Sequence, residues 1–156
     1  MFWIKNTHDE NCVSEWSVMQ ELSTPAGRAR RAASMSEGTK GHELWPELDV
    51  QPEDEIVRKY RFSAFLPGMS DLPNRLRARG FDTVLITGTV TNVCCESSAR
   101  DAMMINFKVI MVTDGNAAMT MEEHTASLLA FYSTFGDVMD TDMLIDCLQR
   151  NVAVAA

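Results

Sequence analysis

Residues 83–114 contain a strand, a turn with two adjacent cysteines, a helix and a second strand, and this segment limits the fold most. The β-branched, apolar run of residues 83–87 stops at Gly88, as a buried strand of a parallel sheet does. A helical pattern over residues 94–104 follows, and a second apolar run spans residues 107–112. The order of these elements predicts a βαβ unit, in which both strands run parallel in one sheet.

The turn of this unit places the Cys94 thiol at the carboxyl end of a strand. Open α/β sheets bind their ligands at this edge. Unpaired amide N–H groups and the helix dipole at such a turn favour the thiolate over the thiol. Buried packing is nevertheless the commoner role of a cysteine in an acidic protein of this kind. The position alone therefore leaves catalysis and packing both open.

Charge and composition exclude several classes of partner. The 14 basic and 22 acidic side chains give a formal net charge of −8, which argues against nucleic acid or an anionic membrane as the main partner. No apolar run approaches the ~20 residues that cross a bilayer, and the first residues lack the apolar segment of a signal peptide. The four cysteines, at positions 12, 94, 95 and 147, have no CxxC spacing. We therefore expect a cytoplasmic protein, with Cys12 and Cys147 in structural roles.

Strands and helices alternate along the chain. Further strands are predicted near residues 2–4, 55–60 and 137–139, and further helices near 13–21, 72–79, 121–135 and 141–150. Residues 27–41 are polar and locally basic, which indicates either a mobile surface segment or lid, or a solvated helix face. The alternation predicts one domain over residues 1–156, an α/β protein built as a three-layer α/β/α sandwich with a mainly parallel, doubly wound sheet.

Three segments resemble the isochorismatase-like cysteine hydrolases. Residues 91–102, TNVCCESSARDA, are similar to the family's nucleophile motif. Residues 38–48, GTKGHELWPEL, are similar to the segment before its third strand, and KYRFSAF at 59–65 matches its K-x-x-x-S-A-F pattern. The resemblance implies that Cys94 is the nucleophile and that Lys59 lies beside the thiol, where its ammonium stabilises the thiolate. Without the resemblance, Lys59 would be interpreted as a solvated charge at a strand end.

The resemblance also implies roles for the residues around the thiol. Backbone N–H groups of the turn formed by Val90, Thr91, Asn92 and Val93 would stabilise the oxyanion of a tetrahedral intermediate. The family often has a cis peptide bond before the motif's threonine, which here is the bond Val90–Thr91. Three aromatic residues could line the substrate pocket, although aromatic side chains are more often core residues: Tyr60, Phe65 and Trp45.

One member of the family's catalytic set has no counterpart in the sequence. In the family, an aspartate at the end of the first strand takes up the thiol proton, and no matching segment occurs here. The chain begins at what resembles the second strand, so we expect an N-terminally truncated member that lacks the first, central strand and its catalytic Asp. Asp9 follows the second strand and is a poor substitute. A longer protein, a second chain or a rearranged sheet would each explain the gap.

The histidines do not indicate a metal. The nicotinamidase branch of the family uses an aspartate and two histidines near the second strand, whereas His8 and Asp9 have no second histidine nearby. We therefore expect no metal and no cofactor. His124, within a helical pattern of acidic and apolar residues, is interpreted as a surface or partly buried histidine, not as a base.

The function implied by the resemblance is cysteine-dependent hydrolysis of a small amide or ureido compound through a covalent thioester. An isochorismate-type vinyl-ether hydrolase is the enzymatic alternative. A catalytically inactive fragment, acting as an oligomerisation or binding module, is the alternative from another class. The family also implies a homo-oligomer, either a dimer or a tetramer, with a small-molecule substrate as its other partner.

Overall fold

The computed structural model describes residues 1–9 and 16–155, with side chains described as far as residue 150. These residues form two compact units, Met1–Ser70 and Asp71–Ala156. The expected roles of Cys12 and of residues 13–15 at the start of the first predicted helix lie outside the described residues. That the whole chain forms one domain stays a prediction.

The first unit contains a two-stranded parallel sheet. Strand β1 is Phe2–Asn6 and strand β2 is Glu55–Lys59, and Asn6 lies opposite Lys59 at the carboxyl end of the pair. Two helices, α1 (Ser17–Glu21) and α2 (Pro25–Met35), and a short 3₁₀ turn, Lys40–His42, lie between the strands in sequence. Both strands predicted from the apolar runs are therefore confirmed.

Helix α2 decides between the two interpretations of the basic segment. Its N-terminus is capped by Thr24, whose hydroxyl oxygen accepts from the Gly27 amide at 3.1 Å, with Pro25 in the first turn. None of its residues is buried. The first part of the segment is thus a helix with no buried residue, as the interpretation of a solvated helix face expects, and a role as a lid stays a prediction. Gly41 passes so close to this helix that a Cβ there would lie 2.5 Å from the carbonyl oxygen of Ser34.

His42 connects the 3₁₀ turn to the end of β1. The side chain is 6% exposed, and its Nε2 lies 2.9 Å from the Thr7 hydroxyl oxygen. Burial lowers the pKa of His42 below its usual 6.5, and the positive charges of Lys5 and Arg58 act in the same direction while Glu37 opposes them. The neutral imidazole is therefore the form that the folded unit favours.

This pKa shift predicts how acid affects the first unit. Because the folded pKa lies below the unfolded pKa, the unfolded chain binds more protons between the two values. We expect the stability to be complete above about pH 6.5 and to fall as the pH drops toward the folded pKa. Tryptophan fluorescence during urea unfolding, at pH values from 7.5 to 5, measures this unit, since all three tryptophans lie within residues 1–70. The variant His42→Gln should lose much of the acid dependence, and an unchanged dependence would contradict the assignment.

The second unit contains a three-stranded parallel sheet of order β3-β4-β5. Strand β3 (Thr83–Thr89) is followed by helix α4 (Glu96–Met104), and α4 leads into strand β4 (Lys108–Ala117), so the predicted βαβ unit is confirmed. Its remaining elements, in chain order, are α3 (Leu72–Ala78) before β3, and α5 (Met121–Tyr132), β5 (Asp137–Met139) and α6 (Thr141–Ala155) after β4.

Several boundaries differ from the sequence prediction. Strand β4 continues five residues beyond Val112, to Ala117, and α6 extends to Ala155 instead of ending near Arg150. Asp71 directly precedes α3, and its carboxylate accepts from Arg75 Nε at 2.8 Å and makes no side-chain cap bond. The α/β class with parallel strands is confirmed, and the strands of the described residues form a two-stranded and a three-stranded sheet.

Candidate active site

The residues between β3 and α4 form a single π-helical turn, Thr91–Cys95. The Val90 carbonyl closes this turn, because it accepts from the amides of Val93 at 3.1 Å and of Cys95 at 3.2 Å. The turn places Cys94 at the carboxyl end of β3, in the position expected for a nucleophile. Helix α4 then begins at Glu96.

The cis peptide bond of this region lies between Thr89 and Val90. The expectation of a cis bond at Val90–Thr91 is therefore wrong by one residue. Strand β3 ends at Thr89, so the cis bond joins the last residue of the strand to the residue that precedes the turn.

The two adjacent cysteines have different environments. Cys94 is half-buried, whereas Cys95 is 5% exposed and belongs to the core. Within the described residues, Cys94, Cys95 and Cys147 form no disulfide. The Ser98 hydroxyl donates to the Cys94 carbonyl oxygen at 2.6 Å, one helical turn along α4. Of the two thiols in the turn, Cys94 is thus the one within reach of a substrate.

The turn offers few backbone donors for an oxyanion. The Val93 amide already donates to Val90, and Val90 contributes its carbonyl. The first amides of a helical turn have no acceptor within the helix, so those of Thr91 and Asn92 stay the candidate donors. The buried Oδ1 of Asn92 has no hydrogen-bond partner among the described residues, but it is an acceptor and so cannot stabilise an oxyanion.

Thr91, the first residue of the turn, is completely buried and its hydroxyl oxygen lies 2.9 Å from Nδ1 of His124. His124 lies in the first turn of α5 and is half-buried. The expectation of a partly buried histidine is confirmed, but its contact with the cysteine turn had no signal in the sequence, because a lone histidine in an amphipathic pattern does not indicate its partner.

Residues 98–102, the S-A-R-D-A part of the motif, lie in helix α4, which follows the turn. Arg100 Nε donates to the Glu96 carboxylate at 2.8 Å, and the Arg100 guanidinium lies 4.0 Å from the ring centre of Phe135. Ala99 and Ala102 are completely buried. The Ser127 hydroxyl of α5 donates to the second carboxylate oxygen of Glu96 at 2.6 Å. The motif therefore fixes how α4 packs and leaves Cys94 at its N-terminal end.

Asn116 lies where the register between β3 and β4 shifts, close to the end of β3. The pairing of β3 with β4 shifts between Ile86 and Gly88, so that Gly88 lies opposite Asn116. The Asn116 amide nitrogen donates to the carbonyl oxygens of Ile86 at 2.8 Å and Val112 at 2.6 Å. Asn116 thereby joins the two strands where β3 leads into the turn. It also lines a cleft of about 480 Å³ with His124, at the carboxyl end of β4.

Lys59 belongs to the first unit, where it is the last residue of β2. It is 5% exposed, and its ammonium donates to the carbonyl oxygens of Arg61 at 3.0 Å and Phe62 at 2.9 Å. The interpretation as a solvated charge is therefore wrong. The K-x-x-x-S-A-F segment bends around the ammonium, with the Ser63 hydroxyl accepting from the Phe65 amide at 3.0 Å. That Lys59 acts together with Cys94 stays a prediction.

The three aromatic pocket candidates have three different environments. Tyr60 lines a cavity of about 40 Å³ in the first unit. Phe65 is 2% exposed and lies in the core, while Trp45 is 64% exposed and lies outside this cavity. A role for any of them in substrate binding stays a prediction.

His8 and Asp9 also line the cavity with Tyr60. Across residues 1–9 and 16–150, no group of three or more His, Cys, Asp or Glu side chains is arranged to hold a metal ion. In the same part of the chain, no helix is both long enough and apolar enough to cross a membrane.

Parallel strands and a half-buried cysteine at a strand-to-helix turn define an α/β protein with a candidate nucleophile. The isochorismatase domain matches residues 2–143, and the chain therefore belongs to the isochorismatase family. The resemblance of the three sequence segments is thereby confirmed.

Two curated relatives and one solved structure are similar to this chain. The ureidoacrylate amidohydrolase RutB of Acinetobacter baylyi is 32% identical over 151 residues, which cover 96% of this chain and 58% of that protein. Nicotinamidase 3 of Arabidopsis thaliana is 34% identical over 117 residues, covering 74% of this chain and 58% of that protein. A cysteine hydrolase from Pseudomonas syringae pv. phaseolicola is 29% identical with a TM-score of 0.83, covering 96% of this chain and 71% of that chain. The chain thus spans 58% of the length of both curated relatives.

Proposed function

We propose that the protein is a cysteine-dependent hydrolase that cleaves the C–N bond of a small ureido or amide compound. The observation that carries the proposal is the half-buried Cys94 in the turn between β3 and α4, within a family motif. An amidohydrolase and a nicotinamidase among the relatives support C–N cleavage. The relative named for a ureido substrate matches 96% of this chain, which favours a ureido compound over a cyclic amide.

The proposed reaction begins at the sulfur atom of Cys94. The thiolate attacks the carbonyl carbon, and the amides of Thr91 and Asn92 stabilise the resulting oxyanion. The C–N bond then breaks, and the leaving amine takes up the proton that the thiol has lost. Water hydrolyses the thioester and restores the thiol. The family resemblance further implies a role for the ammonium of Lys59, which would stabilise the thiolate or orient the substrate carbonyl.

Substrate turnover tests the proposal directly. We expect the protein to consume ureidoacrylate faster than nicotinamide, with loss of substrate followed by mass spectrometry. Rapid acid quenching should trap an added acyl or carbamoyl mass on the peptide that contains Cys94. Binding of these compounds without turnover or adduct would favour the inactive binding module, and turnover of isochorismate alone would favour the vinyl-ether alternative.

Self-association is part of the proposal. Light scattering should give a mass two or four times that of the monomer, as expected for a dimer or tetramer of this family. A monomeric mass over the concentration range of the activity assay would contradict it.

A further inference from the structure

Helix α5 contacts the first residue of the cysteine turn, Thr91, and the first residue of α4, Glu96. His124 Nδ1 lies 2.9 Å from the hydroxyl of Thr91, three residues before Cys94. The Ser127 hydroxyl donates at 2.6 Å to the carboxylate of Glu96, two residues after Cys94. The two contacts therefore lie on either side of the thiol in sequence.

The spacing of the two α5 residues suits this arrangement. His124 and Ser127 are three residues apart and so lie on the same face of the helix. Ser127 is 5% exposed and His124 is half-buried. Their partners are also held elsewhere: the Thr91 carbonyl accepts from the Glu96 amide, and Arg100 binds the other carboxylate oxygen of Glu96. Each hydrogen bond thus joins α5 to a residue that another hydrogen bond also holds.

The two contacts are independent of the hydrogen bonds that close the turn. Val90, Val93 and Cys95 close it through the backbone alone. Without α5, the completely buried Thr91 hydroxyl would have no hydrogen-bond partner among the described residues, which is costly in a buried site. The backbone bonds close the turn, and the contacts of α5 are additional to them.

We propose that His124 and Ser127 are positioning residues, which hold the two sides of the Cys94 turn in the geometry required for attack. The kinetic part of this inference rests on the proposed hydrolase function, while its effect on thiol reactivity does not. Small displacements of a nucleophile have large consequences, because a misplacement of about 1 Å can reduce a rate by roughly 100-fold.

Three variants test the proposal against a matched control. His124→Ala and Ser127→Ala each remove one contact, whereas His124→Asn keeps a polar atom near the place of Nδ1. Thr125→Ala lies between them on the same helix, at an exposed position outside the site. Thermal unfolding of each variant shows whether the fold is retained.

The first measurement is the rate of alkylation of Cys94 by iodoacetamide, relative to that of Cys147 in the same molecule. We expect His124→Ala and Ser127→Ala to lower this ratio severalfold, His124→Asn to restore most of it, and Thr125→Ala to leave it unchanged. An unchanged ratio in both alanine variants, with the fold retained, would overturn the proposal. An equal reduction in Thr125→Ala would also overturn it, since the effect would then belong to the helix as a whole.

The second measurement uses turnover of ureidoacrylate. We expect kcat to fall by roughly 10-fold to 100-fold in each alanine variant, with KM changed less than about twofold, because the turn is displaced and the substrate pocket is not. The double variant should lose little more than each single variant, since releasing either side frees the same turn. If the unmodified protein turns over no substrate, the proposed function fails, while the alkylation ratios still decide the positioning role.

Discussion

Replacing Cys94 by alanine should abolish hydrolysis of the ureido substrate, and replacing it by serine should reduce kcat by roughly 1,000-fold or more. A hydroxyl in the same place ionises far less readily than a thiol and is the weaker nucleophile, so the serine variant should attack the carbonyl carbon much more slowly. Product formation is measured by mass spectrometry under conditions in which both variants retain the unfolding transition of the unmodified protein.

Cys147→Ala is the matched control for this prediction. It removes another half-buried thiol from the same unit, on α6 and outside the turn. We expect it to retain kcat and to form the thioester adduct at Cys94 in quenched reactions. Hydrolysis that persists in Cys94→Ala at the rate of the control would show that the thiol is not the nucleophile.

The fold could be predicted from local patterns. The apolar runs of β3 and β4 and the helical periodicity between them all lie within about 30 residues, which is the length of one βαβ unit. Parallel pairing then follows from the crossover helix. The position of Cys94 could be predicted for the same reason, because the end of a strand and the start of a helix are both visible in the sequence.

The environment of the thiol could not be predicted in the same way. Thr91 and His124 are separated by 33 residues, and Glu96 and Ser127 by 31. Such contacts depend on how α5 packs, and no residue type or spacing signals them. The shift of register at Asn116 could not be predicted from the sequence for a similar reason. An asparagine after an Asp-Gly pair is typical of a turn, whereas Asn116 lies within strand β4 and its side chain donates to two backbone carbonyls.

The buried lysine illustrates the difference between motif and geometry. The family pattern indicated a functional role for Lys59, although a lysine at a strand end is usually solvated. The structure places its ammonium against two backbone carbonyls, and this depends on the conformation of residues 60–65. The sequence pattern therefore identified the residue, and only the structure shows what its charge contacts.

Phe131→Ala should have the largest effect on stability among single substitutions in the second unit. Phe131 is completely buried on α5 and stacks on Phe135 with ring centres 6.0 Å apart. Removing a buried phenylalanine side chain leaves a cavity and typically costs about 3–5 kcal/mol. Leu129→Ala on the same helix is the control, because Leu129 is 67% exposed and its truncation should change the free energy of unfolding by less than about 1 kcal/mol.

The same variant tests whether residues 1–156 form one cooperative domain. Circular dichroism reports helices in both units, while tryptophan fluorescence reports only the unit Met1–Ser70, which contains all three tryptophans. In a single domain, Phe131→Ala should lower the urea midpoint equally by both methods, because all probes follow one transition. A midpoint that falls by circular dichroism and stays constant by fluorescence would show instead that the two units unfold separately, and that the single-domain prediction is wrong.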